Sequence, residues 1–465
     1  MLRFIKDFFI YGFSSVIGKI AAVFLMPIYT NILTKEEYGA LALITSCKGI
    51  IDLFSNLNIH TGVARDYYDE TIERTKLIST GFFSIVLISC FVCCTMLLSQ
   101  EFWMSKILGL ENKHAPAFSL MLLSIPAGSL LSFFGILTRF KKKALIFSLG
   151  TLLQLTVQIT ITIYGVVILQ MGIVSMFVGL LSGEIICLLF FFFINRKSII
   201  PCYCSRYLKR VLIFSLPTLP AILAGWIDSS LGQIIIGKNI SQEALGVYSI
   251  ALQFASMFSL IGLALNNAWP PFLYENYKKH NFQETVTLFF NIVVILLCTL
   301  SIVVSLFSKE IICCLSNSGY ESARFYFTLL CFPMCVYLLF PFASSGISIS
   351  RDTKFIGIAY VSGGLSNIIG LITLIPLFSV IAVPFSLSIS RVISYIILSH
   401  ASKKKNVLTL PNYPLVILAI TVCASYCIQI IDVSIEFRVL ISLLFSSISA
   451  IYVYLKIKDN YSSIC

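Results

Sequence analysis

Apolar stretches of about twenty residues recur along almost the whole chain, and no other sequence feature restricts the fold so tightly. A run of that length crosses the ~30 Å hydrocarbon core as an α-helix. In lipid every backbone N–H and C=O needs a partner within the protein, which leaves helices as the spanning form. Runs at 8–33, 38–59, 77–98, 115–138, 145–169, 172–194, 211–236, 245–266, 285–307, 324–347, 355–378, 381–400, 413–431 and 437–455 predict about fourteen spans. The expected class is an all-α polytopic membrane protein. Two splits rest on very short connections, at Gln170-Met171 and Ser379-Val380. Without them the runs are too long for single crossings. Composition agrees, since 12% of the 465 residues are charged, against roughly a quarter in soluble chains. The first run is too long for a signal-peptide core and lacks a small-residue cleavage site, so it is expected to stay in place as a span.

The formal charge of +12 lies in short clusters between the apolar runs. With the N-terminus inside, cytoplasmic connections hold Arg3, Lys6, Arg65, Arg139, Lys141, Lys142, Lys143, Arg351, Lys403, Lys404 and Lys405 among others. Outer connections hold Lys35, Lys106, Lys113, Lys238, Lys309, Arg324 and Arg438. The imbalance is roughly threefold and places both termini in the cytoplasm. The basic excess is thereby a topology signal. No basic face persists long enough for nucleic acid.

Most of the 15 cysteines lie inside apolar runs, where they act as small hydrophobes. Cys202 and Cys204 share a polar loop without further ligands nearby, and a zinc site needs about four. No metal site and no cofactor are expected.

The chain also repeats itself. Thr34-Lys35-Glu36-Glu37-Tyr38-Gly39 aligns with Ser241-Gln242-Glu243-Ala244-Leu245-Gly246 at an offset of 207 residues. The same offset carries Tyr67 onto Tyr274, and Leu122-Leu123 with Pro126 onto Leu329-Leu330 with Pro333. Six spans separate the copies, an even number, so the repeat is parallel, about an axis along the membrane normal. The expected organisation is a first six-helix lobe at 1–200, a second at 201–405 about a central cleft, and a two-helix appendage at 406–465. Gly39 and Gly246 are expected to close the outer hairpins.

The stretch Leu25-Met26-Pro27-Ile28-Tyr29-Thr30-Asn31-Ile32-Leu33-Thr34-Lys35-Glu36-Glu37-Tyr38-Gly39 resembles the first hairpin of the polysaccharide-biosynthesis exporters. These are the O-antigen (Wzx-type) flippases of the multidrug/oligosaccharidyl-lipid/polysaccharide exporter superfamily. Asn266-Asn267-Ala268-Trp269-Pro270-Pro271-Phe272 with Tyr274 is similar to the end of span eight in the same group. The resemblance implies passage of an undecaprenyl-pyrophosphate-linked oligosaccharide, an O-antigen or other surface-polysaccharide unit, from the cytoplasmic to the periplasmic leaflet of the bacterial inner membrane. It further implies membrane lipids and polysaccharide polymerase machinery as partners. Related groups carry lipid II or capsule units, or exchange drugs and cations.

Charges inside spans cost about 2.5–3.5 kcal/mol each on insertion scales, so each needs an account. At 1.5 Å per residue, Lys19 lies roughly 24 Å and Asp52 roughly 26 Å from the outer turn, with Lys48 about 6 Å shallower. These three can converge. One reading is an ion pair that serves packing. The other notes that one acid cannot neutralise two lysines, which leaves a positive site for a pyrophosphate. Glu184 and Asp228 fall roughly 16–18 Å deep, near the midplane. They are expected either to carry H⁺ or Na⁺ coupling or to pair with a cation. Arg391 in span twelve has the planar fork that grips phosphate, or packs on a carbonyl. Arg65 and Arg139, at inner span ends, anchor topology or meet the substrate first. Pro27, Pro217 and Pro220 interrupt helices and are candidate hinges or static kinks.

Neither a glycine-rich phosphate loop nor a Ser/His/Asp arrangement occurs at a recognisable spacing, so no covalent chemistry is expected. Rival readings are a drug or cation antiporter, which wants an acidic cavity, a membrane-embedded polymerase or ligase, which wants a large outer loop, and a non-transporting scaffold.

Overall fold

A computed structural model describes residues 16–279, 281–350, 352, 354–404, 409–411, 413–431 and 433–462. Arg3, Lys6, Arg351, Lys405 and the opening residues of the first expected span lie outside them. Among the described residues all regular structure is helical. Twelve helices are long and apolar enough to cross a membrane. One of these, Lys354–Lys404, is a hairpin of two helices about a 3-10 turn at Ser379–Ile381. Counting it as two and adding the shorter Val16–Ile32 gives the fourteen segments the apolar runs predict.

We number them α1 (Val16–Ile32), α2 (Lys35–Asn56), α3 (Arg74–Leu98), α4 (Ala115–Phe140), α5 (Ala144–Ile168), α6 (Val174–Asn195) and α7 (Ser205–Asn239). The rest are α8 (Gln242–Asn276), α9 (Phe282–Leu306), α10 (Ala323–Ser350), α11 (Lys354–Phe378), α12 (Ala382–Lys404), α13 (Tyr413–Ile431) and α14 (Ile435–Tyr452). The chain divides into two compact units, Met1–Gly246 and Val247–Cys465.

In the first unit the core gathers Ile59, Leu77, Ile85, Phe133, Phe134 and Phe191 from the spans α3, α4 and α6 and the short helix Ile59–Asp66. The start of α2 is fixed locally. Thr34 accepts from the Glu37 backbone N–H at 3.2 Å, and the Glu37 carboxylate accepts from Thr34 N–H at 2.9 Å, which is a capping box. The repeat partner Ser241 caps α8 likewise, accepting from the Ala244 N–H at 3.0 Å. Two features of α1 and α7 depart from regular helix. Helix α1 breaks at Leu25 and resumes with Pro27 in its first turn. Helix α7 contains a 3-10 segment at Leu216–Thr218, around Pro217 and just before Pro220, and a π turn at Ile227–Leu231.

Gly39 and Gly246 correct one expectation. They do not sit in the turns but one helical turn inside α2 and α8, facing each other. A Cβ on Gly39 would lie 1.9 Å from the Gln242 carbonyl oxygen, and one on Gly246 would lie 2.0 Å from that of Lys35. The same 207-residue offset relates both contacts, so the repeat touches itself symmetrically at two glycines. Close backbone approach of this kind is what small residues permit in membranes. Lys35 adds an ion pair to Glu243 at 3.1 Å.

Both short hairpins turn where their connections predict, through left-handed residues at Gln170 (φ 51°) and Ser379 (φ 52°). Each hairpin then packs through small residues: Gly179 and Gly183 of α6 on Thr162 and Gln158 of α5, Gly363 and Gly370 of α11 on Ser394 and Ser386 of α12.

In the second unit Phe254, Phe290, Phe342, Leu330 and Tyr395 are fully or nearly fully buried. Helix α13 packs on α9 and α10, and α14 on α9. The buried Gln429 amide staples α13 inward, donating to the Ser305 carbonyl and to the Ser308 and Thr328 hydroxyls, the last two at 2.6 Å. Only 6% of α14 is buried, and its Leu443, Ile448 and Ile451 are exposed.

Candidate functional site

A polar cavity of about 360 Å³ lies inside the first unit, within its membrane-spanning helices. Its charged wall comes from three spans. Helix α2 presents Lys48 and Asp52 one turn apart, on one face, and the Lys48 ammonium lies 2.9 Å from the Asp52 carboxylate. Helix α6 brings Glu184 to 3.6 Å from the same ammonium. Helix α4 makes room. A Cβ at Gly128 would stand 3.3 Å from both the Lys48 Nζ and Glu184 Oε1. One residue on, Ser129 and Ser55 share a hydroxyl contact of 2.8 Å that locks α4 to α2.

This arrangement corrects the predicted charge balance. The sequence pairs Lys48 with Lys19 and Asp52 into an electropositive group, but Lys48 is bracketed by two carboxylates. With all three ionised the trio carries one net negative charge. Lys19 is a partly buried residue of α1. Glu184 pairs with a cation, one of its two expected readings, but that Lys48 is that cation was not legible, because depth along a helix is countable whereas the direction a side chain faces depends on helix rotation. Asp52 Oδ1 and Glu184 Oε2 are both buried without a hydrogen-bond partner. A buried acceptor left so is costly, and a proton, a cation or a donor group entering the cavity would satisfy it.

The cavity is also lined by Arg139, whose guanidinium lies over the Phe147 ring at 4.9 Å and donates to the Gly135 carbonyl at 3.3 Å. Asn56, Thr151 and Gln154 add neutral hydrogen-bonding groups to the wall. None of these was singled out in advance, although a Gln inside an apolar run is a readable signal. Arg65 does not line the cavity; its guanidinium covers the Phe214 ring at 4.4 Å. Asp228 is buried within the π turn of α7, a form of local widening often found at functional positions. The neighbouring Trp226 donates to the Ser46 carbonyl of α2 at 2.9 Å.

Elsewhere in the same unit Arg210 bridges two acids the sequence reading passed over, Asp66 at 2.8 Å and Asp69 at 2.7 Å. Asp69 also accepts from the Thr71 hydroxyl and backbone N–H, and these bonds, then Arg210, hold its carboxyl below the usual range.

The second unit has a smaller pocket of about 120 Å³, lined by Gly262, Asn266, Tyr337, Phe340, Ser344 and Tyr360 among others. The 207-residue offset carries two wall residues of the first cavity, Leu131 and Phe191, onto two of the second, Leu338 and Leu398. Arg391 lies over the Tyr337 ring at 4.4 Å and the Phe340 ring at 5.9 Å. The expected site residues thus fall into separate settings: Lys48, Asp52, Glu184 and Arg139 about one cavity, and Arg391 beside another.

Comparison with known proteins follows the same lines. A family model described as polysaccharide biosynthesis protein matches residues 28–324. A Haemophilus influenzae protein named Lsg locus putative protein 1 is 22% identical over 294 residues, 60% of this chain and 68% of its own. Among solved structures, the lipid II flippase MurJ in its inward-closed conformation superposes with a TM-score of 0.74 at 16% identity, covering 99% of both chains. An inward-facing multidrug-resistance MATE transporter of the MOP superfamily reaches 0.65 at 13% identity, covering 86% of this chain and 95% of its own. The fold is theirs.

Proposed function

Because the chain belongs to the polysaccharide biosynthesis protein family, we propose that it flips an undecaprenyl-pyrophosphate-linked oligosaccharide from the cytoplasmic to the periplasmic leaflet of a bacterial inner membrane. The reading is carried by one observation: a membrane-embedded charged cavity occurs in a chain of this family with the fold of a lipid-linked glycan carrier. The head group crosses by alternating access while the lipid tail stays in the bilayer. Two lobes, 1–200 and 201–405, with an appendage at 406–465 and cytoplasmic termini, remain our working organisation, and the inside excess of Lys and Arg supports the orientation.

Within this reading Arg391, Arg139, Arg65 and Lys19 meet the pyrophosphate, and the forked guanidinium suits it best. Lys48 shifts from that group to the coupling group. It sits between Asp52 and Glu184, and uptake of a proton or Na⁺ by this trio or by Asp228 would reset the carrier. Pro27, Pro217 and Pro220 are proposed hinges. The reaction is transport, without covalent chemistry in this chain.

Deleting the gene tests the proposal. Loss of surface glycan with lipid-linked intermediates trapped inside supports it. A second reading, a drug or cation antiporter, is favoured by the acidic balance around Lys48 and by the MATE-like fold. Normal surface glycan with drug hypersensitivity would select it instead.

A further inference from the structure

We propose that the pocket of the second unit is a sugar-ring subsite, in which Tyr337 and Tyr360 stack on the pyranose next to the pyrophosphate. This rests on the carrier reading above and names what one of its cavities recognises.

Three observations carry it. The pocket wall combines three rings, Tyr337, Phe340 and Tyr360, with the Asn266 amide and the Ser344 hydroxyl. The rings brace one another, with Phe340 5.1 Å from Tyr337 and 5.8 Å from Tyr360, the latter edge-on. Tyr337 keeps 39% of its surface exposed, so a ligand can reach it. A pyranose has an apolar C–H face for a ring and a rim of hydroxyls for an amide and a hydroxyl, and this wall offers both. An acyl chain would offer the Asn266 amide no hydrogen bond. An organic cation would approach Arg391, which lies over two of the same rings. An anion beside the sugar would find that guanidinium favourable. In a lipid-pyrophosphate glycan, the first sugar and the pyrophosphate are bonded neighbours.

The first unit's cavity sharpens the point by contrast. It has Lys48, Asp52, Glu184 and Arg139 on its wall and a single ring pair's worth of aromatic surface, Phe147 and Phe191. That wall is built for charge, and the second unit's for a ring with hydroxyls.

The test uses the full chain in lipid nanodiscs, with native mass spectrometry reading binding of two probes. These are undecaprenyl pyrophosphate and the same lipid bearing one N-acetylhexosamine. The wild type should prefer the glycosylated probe by roughly three- to tenfold per stacked ring. Tyr337→Leu and Tyr360→Leu should each lower that preference while binding the bare lipid as the wild type does, and Tyr337→Phe should retain it. Asn266→Leu, on a different helix, should also lower it and serves if a Tyr variant fails to fold. Preference kept in the Leu variants, equal weakening of both probes, or no preference in the wild type would overturn the subsite. If the wild type binds neither lipid, the carrier reading itself falls, and the subsite with it.

Discussion

Replacing Lys48 by Met should destabilise the protein far more than replacing either acid it touches. The Lys48 side chain is 13% exposed and that of Glu184 is 7% exposed, so this pair is largely withdrawn from water, while Asp52 is 33% exposed. Removing the cation leaves two carboxylates on α2 and α6 with no counter-charge from it, and breaking a buried pair this way costs about 3–5 kcal/mol. Glu184→Gln is different. It keeps the 2.9 Å Lys48–Asp52 pair and removes a carboxylate that already has one unanswered oxygen, so the loss should be about 1 kcal/mol. The triple variant Lys48→Met/Asp52→Asn/Glu184→Gln removes every charge and should recover most of the loss, since neutral replacement of a buried ionic group is often close to cost-free. Thermal unfolding of the purified protein at fixed detergent and scan rate gives the ranking. Lys48→Met should unfold well below Glu184→Gln, with the triple variant between Lys48→Met and wild type. If Lys48→Met matches wild type, or the triple variant is no better than the single, the electrostatic argument is wrong.

Further expectations are simpler. Gly39→Ala or Gly246→Ala pushes a methyl into a backbone carbonyl and should cost about 1–3 kcal/mol by overpacking; a paired cysteine cross-link between Lys35→Cys and Glu243→Cys should form more slowly in either background. Gln429→Leu removes the donor to Ser305 of α9, Thr328 of α10 and Ser308 between them and should lower stability by about 1–3 kcal/mol, read as earlier thermal unfolding. Pro217→Ala with Pro220→Ala should leave thermal unfolding unchanged or raised while slowing glycan export in cells, if the broken turns of α7 serve movement. The Arg210 clamp should be insensitive to pH between 5 and 8. A lowered Asp pKa contributes above its ordinary value of about 3.9 and is lost only as pH falls through the lowered one. The difference in unfolding temperature between wild type and Arg210→Ala should therefore stay constant over that window.

Much of the architecture was legible because bilayer thickness converts directly into residue count. The two doubtful splits succeeded for a reason visible in the backbone: Gln170 and Ser379 adopt left-handed geometry and reverse the chain within a few residues. Glycine readings fared less well. Gly39 and Gly246 stand near turns in sequence, and only three-dimensional contact shows them serving a helix crossing. For the site, intramembrane cost flagged Lys48, Asp52, Glu184 and Arg391 correctly as residues needing partners. Which partners they find depends on how three helices rotate toward one another, and apolar runs as uniform as these carry little rotational information. The aromatic pocket was invisible for the opposite reason. In a chain with 38 Phe and 21 Tyr, Tyr337 and Tyr360 differ from the rest only by what surrounds them.

The two tight hairpins have a mechanical consequence. A reverse turn of few residues, followed by a seam of glycines and hydroxyls, makes α5 with α6, and α11 with α12, behave as stiff planks rather than pairs of independent rods. Any reshaping of the neighbouring cavities must then come from helices whose own ladder is already broken. Helix α7, with a tightened turn and a widened turn in the same span, is the natural place for the first unit to yield.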